Sequence, residues 1–237
     1  MRRLLSLFAM ALTVGLVAAP TASAQQSVNF FLGGFNPASL DSRGTDDVLF
    51  QNGAYLSTLN RNRGIDINQF SGPTIGAEYL VGIGRNLEAG LGISFYQRTV
   101  PTVDTFNTFS NGDDIQQDLK LRIVPFTATI RFLPFGNDAP VQPYIGGGVG
   151  IYAWRYSETG QFLDNKNNIF NGNFVGSGSE VGPIVVGGAR FPVGAVKIGG
   201  EVRWQKGSAT LPADQTFAGP KIDLGGFNYL LTVNFRF

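Results

Sequence analysis

The chain has 237 residues, 15% of them charged, a formal net charge of +1, and neither Cys nor His. Disulfides, zinc or copper sites built on Cys or His, and proton transfer by an imidazole are therefore excluded. Charge this balanced, and sparser than the roughly 25% of average soluble proteins, gives no reason to expect nucleic acid as a partner.

The N-terminus reads as a secretory signal peptide over residues 1–24. Met1-Arg2-Arg3 is basic, Leu4 to Ala19 is almost wholly apolar, and Ala22-Ser23-Ala24 is a small-x-small cleavage site before Gln25. No Cys lies there to carry a lipid. Without Arg2 and Arg3 the chain has 16 basic and 17 acidic residues. No later stretch approaches 18 consecutive apolar residues, so a transmembrane helix is not expected. If the chain crosses a membrane, it must do so as a closed barrel, because lipid cannot satisfy an open sheet edge.

Residues 25–237 form one predicted domain with eight strands, at 27–36, 72–84, 87–101, 118–134, 142–157, 182–191, 195–206 and 226–237. The connections at 37–71, 102–117, 158–181 and 207–225 are long and polar. Those at 85–86, 135–141 and 192–194 are tight. Short turns at one end and long loops at the other are the layout of a membrane barrel with both termini in the periplasm.

Each strand alternates with a period of two, which sends its two residue sets to opposite faces. Leu87, Ala89, Leu91, Ile93 and Phe95 alternate with Glu88, Gly90, Gly92, Ser94 and Tyr96. Val196, Ile198, Val202 and Trp204 alternate with Lys197, Gly199, Glu201, Arg203 and Gln205. The polar set is rich in Gly, Ser, Thr and Tyr and poor in charge, which suits a narrow lumen better than a solvated surface. The fourth strand changes phase. Leu119, Leu121 and Ile123 share one parity and Phe126, Ala128, Ile130 and Phe132 the other, so a β-bulge is expected at Pro125. In the last strand, Tyr229, Leu231, Val233, Phe235 and Phe237 alternate with Asn228, Leu230, Thr232, Asn234 and Arg236. Taken alone, that pattern fits the closing strand of a membrane barrel or a half-buried strand of a soluble β protein.

Parity places Glu78, Glu88, Glu201, Arg131, Arg190, Lys197, Arg203 and Arg236 inside, where buried charges must pair. Arg236 is expected to close this network from the terminal strand. Arg155 and Lys206 face outward at the loop-side strand ends. There they either meet lipopolysaccharide phosphates or snorkel to water. Gly146-Gly147-Gly148 lies inside a strand without a following helix or Lys, so it is not a phosphate loop. Asp46-Asp47 and Asn111 with Asp113 and Asp114 miss EF-hand spacing and read as solvated turns.

With Pro-Tyr-Ile-Gly-Gly-Gly-Val-Gly at 143–150, the strand order and the terminal Phe237, the whole mature chain resembles the small eight-stranded OmpA/OmpX-like outer-membrane barrels. The resemblance implies an all-β, closed, antiparallel up-and-down transmembrane barrel in the bacterial outer membrane, without a cofactor and expected to be monomeric. It makes Tyr229, Leu231, Val233, Phe235 and Phe237 the signal read by the barrel-assembly machinery. It implies outer-membrane lipids and lipopolysaccharide as partners and an extracellular ligand through the loops. The family's functions are structural anchoring, adhesion and, in a few members, catalysis. The barrel enzymes of palmitoyltransferase, deacylase, phospholipase and omptin type depend on a His, so the chain is expected not to be an enzyme. A structural or interaction role leads, and a narrow channel for small solutes is the alternative.

Overall fold

The computed structural model describes residues 25–59, 63–164 and 166–237. The signal-peptide reading of 1–24 lies outside the described residues. Eight long strands form the wall: β1 (Gln26–Pro37), β3 (Gly72–Ile83), β4 (Leu87–Thr108), β5 (Asp114–Phe132), β6 (Gln142–Leu163), β7 (Ile169–Val193), β8 (Val196–Gln205) and β11 (Gly226–Arg236). Three short strands, β2 (Leu56–Thr58), β9 (Ser208–Thr210) and β10 (Lys221–Asp223), lie in the long connections. Every wall strand pairs antiparallel with its sequence neighbours, and β1 pairs with both β3 and β11, from Ser27↔Arg236 to Pro37↔Gly226. The sheet is therefore a closed ring without a free edge at the level of β1 and β8, the arrangement that satisfies every ladder group internally.

The long connections are more ordered than their polarity suggests. The β6–β7 ladder continues well past 157 to Leu163↔Ile169, and β4–β5 runs past 101 to Val103↔Gln116 and, after a register shift, closes at Thr108↔Asp114. The first connection folds back as a 3-10 turn at Leu40–Ser42, a short helix α1 (Val48–Asn52), β2 paired to β4, and a second 3-10 turn at Ile67–Phe70. Asp47 caps α1 by accepting hydrogen bonds from the N–H groups of Leu49 and Phe50.

The expected bulge at Pro125 does not occur. The pairing of β5 with β6 runs without a shift from Gln117↔Gly160 to Phe132↔Ile145, with Pro125 opposite Tyr152. Burial alternates regularly through the same residues. What changes at Pro125 is the chemistry of the two faces. Above it, Ile115, Leu119, Leu121 and Ile123 point in and are buried, while Lys120 and Arg122 point out. Below it, Thr127, Thr129 and Arg131 point in, while Phe126, Ile130 and Phe132 are exposed outside. The upper part of the barrel is thus built like a water-soluble one and the lower part inside-out.

The upper interior is a hydrophobic core. Val48 and Leu49 of α1, Leu56, Ile65, Ile67 and Phe70 of the first connection, and Ala209, Leu211, Ile222 and Leu224 of the last fill it. They pack on Phe35, Tyr96, Val100, Leu119, Leu121, Ile123, Tyr152, Trp154 and Tyr156 from the wall. Two of the long connections therefore cap the mouth. Arg43 clasps them together: its Nη1 binds Asp47 at 3.1 Å and donates to the Asp223 carbonyl, and Asp47 accepts the Asp223 N–H.

Candidate functional site: lumen and rim

The lower interior holds the predicted charge network. Glu78 of β3, Arg131 of β5 and Glu201 and Arg203 of β8 are all buried. They form a closed four-member ring of alternating charge. Arg131 binds Glu78 and, at 2.9 Å, Glu201, while Arg203 binds Glu201 and, at 3.0 Å, Glu78. Two carboxylates and two guanidiniums cancel, so the ring carries no net charge to be solvated. Thr129 donates to Glu78 and the Tyr144 hydroxyl donates to Glu201 at 2.7 Å. These neutral donors occupy lone pairs that an ion pair alone would leave bare.

A second pair lies beside the ring. Arg190 of β7 spans the lumen to Glu88 of β4 at 2.8 Å. The guanidiniums of Arg131 and Arg190 both lie over the Tyr144 ring, at 4.9 and 5.1 Å from its centroid. Arg203 stacks on Phe31 at 4.2 Å. Glycine makes the space. Tyr144 pairs across the ladder with Gly188, where an added Cβ would come within 2.6 Å of the Tyr144 hydroxyl and closer still to the Gly200 carbonyl.

Lys197 is buried but joins no carboxylate among the described residues. It donates to Gln142 Oε1 at 2.8 Å and to the Asn137 carbonyl. Gln142 in turn donates to the Asn137 and Ala139 carbonyls, so the turn between β5 and β6 is folded over the lower mouth and tied there. Arg236 departs from expectation. It keeps the inward parity of Thr232 and Asn234 but sits exposed at the rim, with Asp138 as its ion-pair partner at 3.7 Å. β11 runs out at that position, so its side chain has passed beyond the enclosed lumen. Glu201 pairs with Arg131 and Arg203, and Arg190 pairs with Glu88. Tyr144 is the member of the network that charge patterning missed. Its signal was the ladder itself, which sets a large phenol opposite a glycine.

The outer face carries a continuous apolar band. Phe30, Leu32, Ile75, Leu91, Ile93, Phe126, Ile130, Ile145, Val149, Val185, Ile198 and Leu231 are exposed on it. Aromatics flank it, with Phe95 and Phe227 above and Tyr79, Phe132, Phe191 and Phe235 below. On β5 the band ends at Arg122, ten residues above Phe132. Ten residues at about 3.3 Å, tilted by about 40°, cover roughly 25 Å of height, the thickness of a membrane barrel's lipid-facing zone. The first polar outward residues above the band are Gln97 on β4, Arg122 on β5, Arg155 on β6, Ser179 on β7 and Lys206 after β8, all exposed. Tyr229, Leu231 and Phe235 face outward on the closing strand, with Val233 half-buried between them and Phe237 exposed beyond it.

No family model and no curated protein matches the chain. Solved structures do. Neisserial surface protein A is 13% identical, with 90% of this chain covering 97% of that one at a TM-score of 0.45. Ail of Yersinia pestis is 13% identical over 90% and 99% of the two chains, at a TM-score of 0.39. The N-terminal β-barrel domain of Pseudomonas aeruginosa OprF is 10% identical over 91% and 100%, at 0.40. These neighbours are small outer-membrane β-barrel proteins.

Proposed function

We propose that this chain is an outer-membrane barrel with a structural and interaction role. It is anchored by its apolar band and presents the upper hairpins to the exterior. The observation that carries the reading is the inversion at Pro125: an inside-out lower barrel continuous with a soluble-type upper barrel. Only a wall that leaves lipid for water part-way up needs that change.

The lumen supports anchoring over transport. It is closed three times: by the turn held to Lys197, by the ring on Glu78 and Glu201, and by the apolar cap. An eight-stranded interior is wide enough for side chains and not for an aqueous channel as well. The exterior supports recognition. The hairpin tips diverge above Gln117↔Gly160 and leave an open cleft of about 640 Å³, lined by Phe109, Asp113, Asp114, Gln116, Gln161 and Asn171. Lipopolysaccharide is the partner expected at the level of Arg155 and Lys206, and the barrel-assembly machinery the one expected at the closing strand.

Planar-bilayer recording of the purified protein tests the anchoring reading. Little or no steady conductance is expected. Large, stable single-channel steps would replace it with the narrow-channel reading.

A further inference from the structure

The two arginines at the upper edge of the band are direct cross-strand partners: Arg122 of β5 is in register with Arg155 of β6. Side chains so paired share one face with their Cβ atoms about 5 Å apart, and like charges there repel. Both are exposed, and among the described residues neither has a hydrogen-bond or ion-pair partner. Lys120, exposed on the same face one outward position higher, adds a third positive charge. The nearest carboxylate on that face of β5 is Asp118, one outward position higher again. Gln97 stands opposite Arg122 on β4, and Ser177 opposite Arg155 on β7, so uncharged polar groups flank the pair. A site that places two guanidinium forks side by side without an internal anion is complete only with an external one. Its height, directly above the apolar band, is where lipid headgroups lie.

We propose that Arg122 and Arg155 form a clamp for the phosphate monoester of an outer-leaflet lipid, with Lys120 as an accessory charge. The inference rests on the outer-membrane reading above and deepens it. Two forks on one phosphate give charge-assisted, geometrically matched hydrogen bonds that a single snorkelling Arg does not. Anion binding also relieves the cross-strand repulsion, so the occupied state pins β5 to β6 at the point where the wall leaves the membrane.

The test uses the full-length protein purified from outer membranes, with lipid A counted per barrel by native mass spectrometry. Wild type should retain lipid A and reject lipid A stripped of its phosphates. The Arg122→Gln, Arg155→Gln double variant should retain at least about tenfold less, since each lost charge-assisted bond contributes about one power of ten or more. Neither residue touches the lumen, so with the lipid removed the double variant should unfold no lower than the wild type. Equal retention by the double variant, or equal retention of the dephosphorylated lipid, would overturn the clamp. Displacement of lipid A by equimolar inorganic phosphate would overturn the lipid as its occupant. Fractionation is scored first: a wild type absent from the outer membrane would overturn the membrane reading itself.

Discussion

Glu201 is the residue on which the lower lumen turns. It accepts from Arg131, Arg203 and Tyr144 at once, and its two guanidinium partners are themselves buried. Removing it leaves Arg131 and Arg203 to share Glu78, one uncompensated positive charge in a space closed at both ends. Breaking a buried pair from one side costs about 3–5 kcal/mol, mostly from the uncompensated partner. Glu201→Ala is therefore expected to lower the heat-unfolding temperature markedly, read as the shift between folded and unfolded bands on heated gels. Arg236→Ala, which loses only an exposed contact with Asp138, should leave it nearly unchanged. Equal losses from the two would contradict the ring. Parity alone placed seven of the eight predicted lumen charges in the enclosed interior, because inward and outward sets alternate strictly. It could not assign partners. Those depend on which strands face one another across the barrel, and Arg190 reaches Glu88 over a span that no local pattern encodes.

At the scale of elements, the hairpin β6–β7 is also the arm that holds the cap. Glu158, above the band on β6, accepts from Asn52 of α1 at 2.7 Å and from the Tyr156 hydroxyl at 2.9 Å. Burial pushes its carboxyl above the usual carboxylate range, against the two hydrogen bonds, which pull it down. Burial likewise raises the Tyr156 phenol well above its ordinary value, and Glu158 adds to that rise. A carboxyl whose folded pKa is raised favours the fold when protonated. Its contribution is full below the unfolded pKa and is lost as pH rises through the folded one. Hydrogen exchange at the α1 amides should accordingly quicken as pH climbs from acid towards neutral, after correction for intrinsic rates, and Glu158→Gln should flatten that dependence. A wild-type cap indifferent to pH would contradict the assignment.

The strand β11 belongs to the same scale. It closes the ring against β1 and β8 and carries Phe235 and Phe237 outward at the lower rim. If these aromatics are read during assembly, deleting Phe237 should reduce outer-membrane levels while export continues. Equal levels of wild type and deletion would remove that role. The period-two pattern made all eight wall strands legible. Their upper extensions were hidden because residues 102–108 and 158–163 are polar outside and carry few apolar residues inside. Pro125 misled for a physical reason: a reversal in which face is apolar looks, in one dimension, like a one-residue slip.

For the whole molecule, one wall serves two solvents. Below Arg122 the hydrophobic effect has no hold on the outer face, and the interior must satisfy itself by ion pairs, phenol and threonine. Above it, burial of Leu119, Leu121, Tyr156 and the folded-back connections forms a conventional core. The charge-poor composition, the glycines facing large lumen side chains and the polar hairpins are consequences of that division. The cap was not legible because its apolar residues are scattered singly through polar connections, and only the closed ring brings them together.

The division can be measured directly, since the chain has no cysteine of its own. Single cysteines at Ile130 and Val185, on the exposed band, and at Ser177, on the upper hairpin, are treated on intact cells with a membrane-impermeant maleimide. Ser177→Cys should label readily, whereas Ile130→Cys and Val185→Cys should label only after the protein is unfolded. Labelling of Ile130→Cys on intact cells as fast as Ser177→Cys would mean that the band faces water, and would contradict the membrane-spanning barrel.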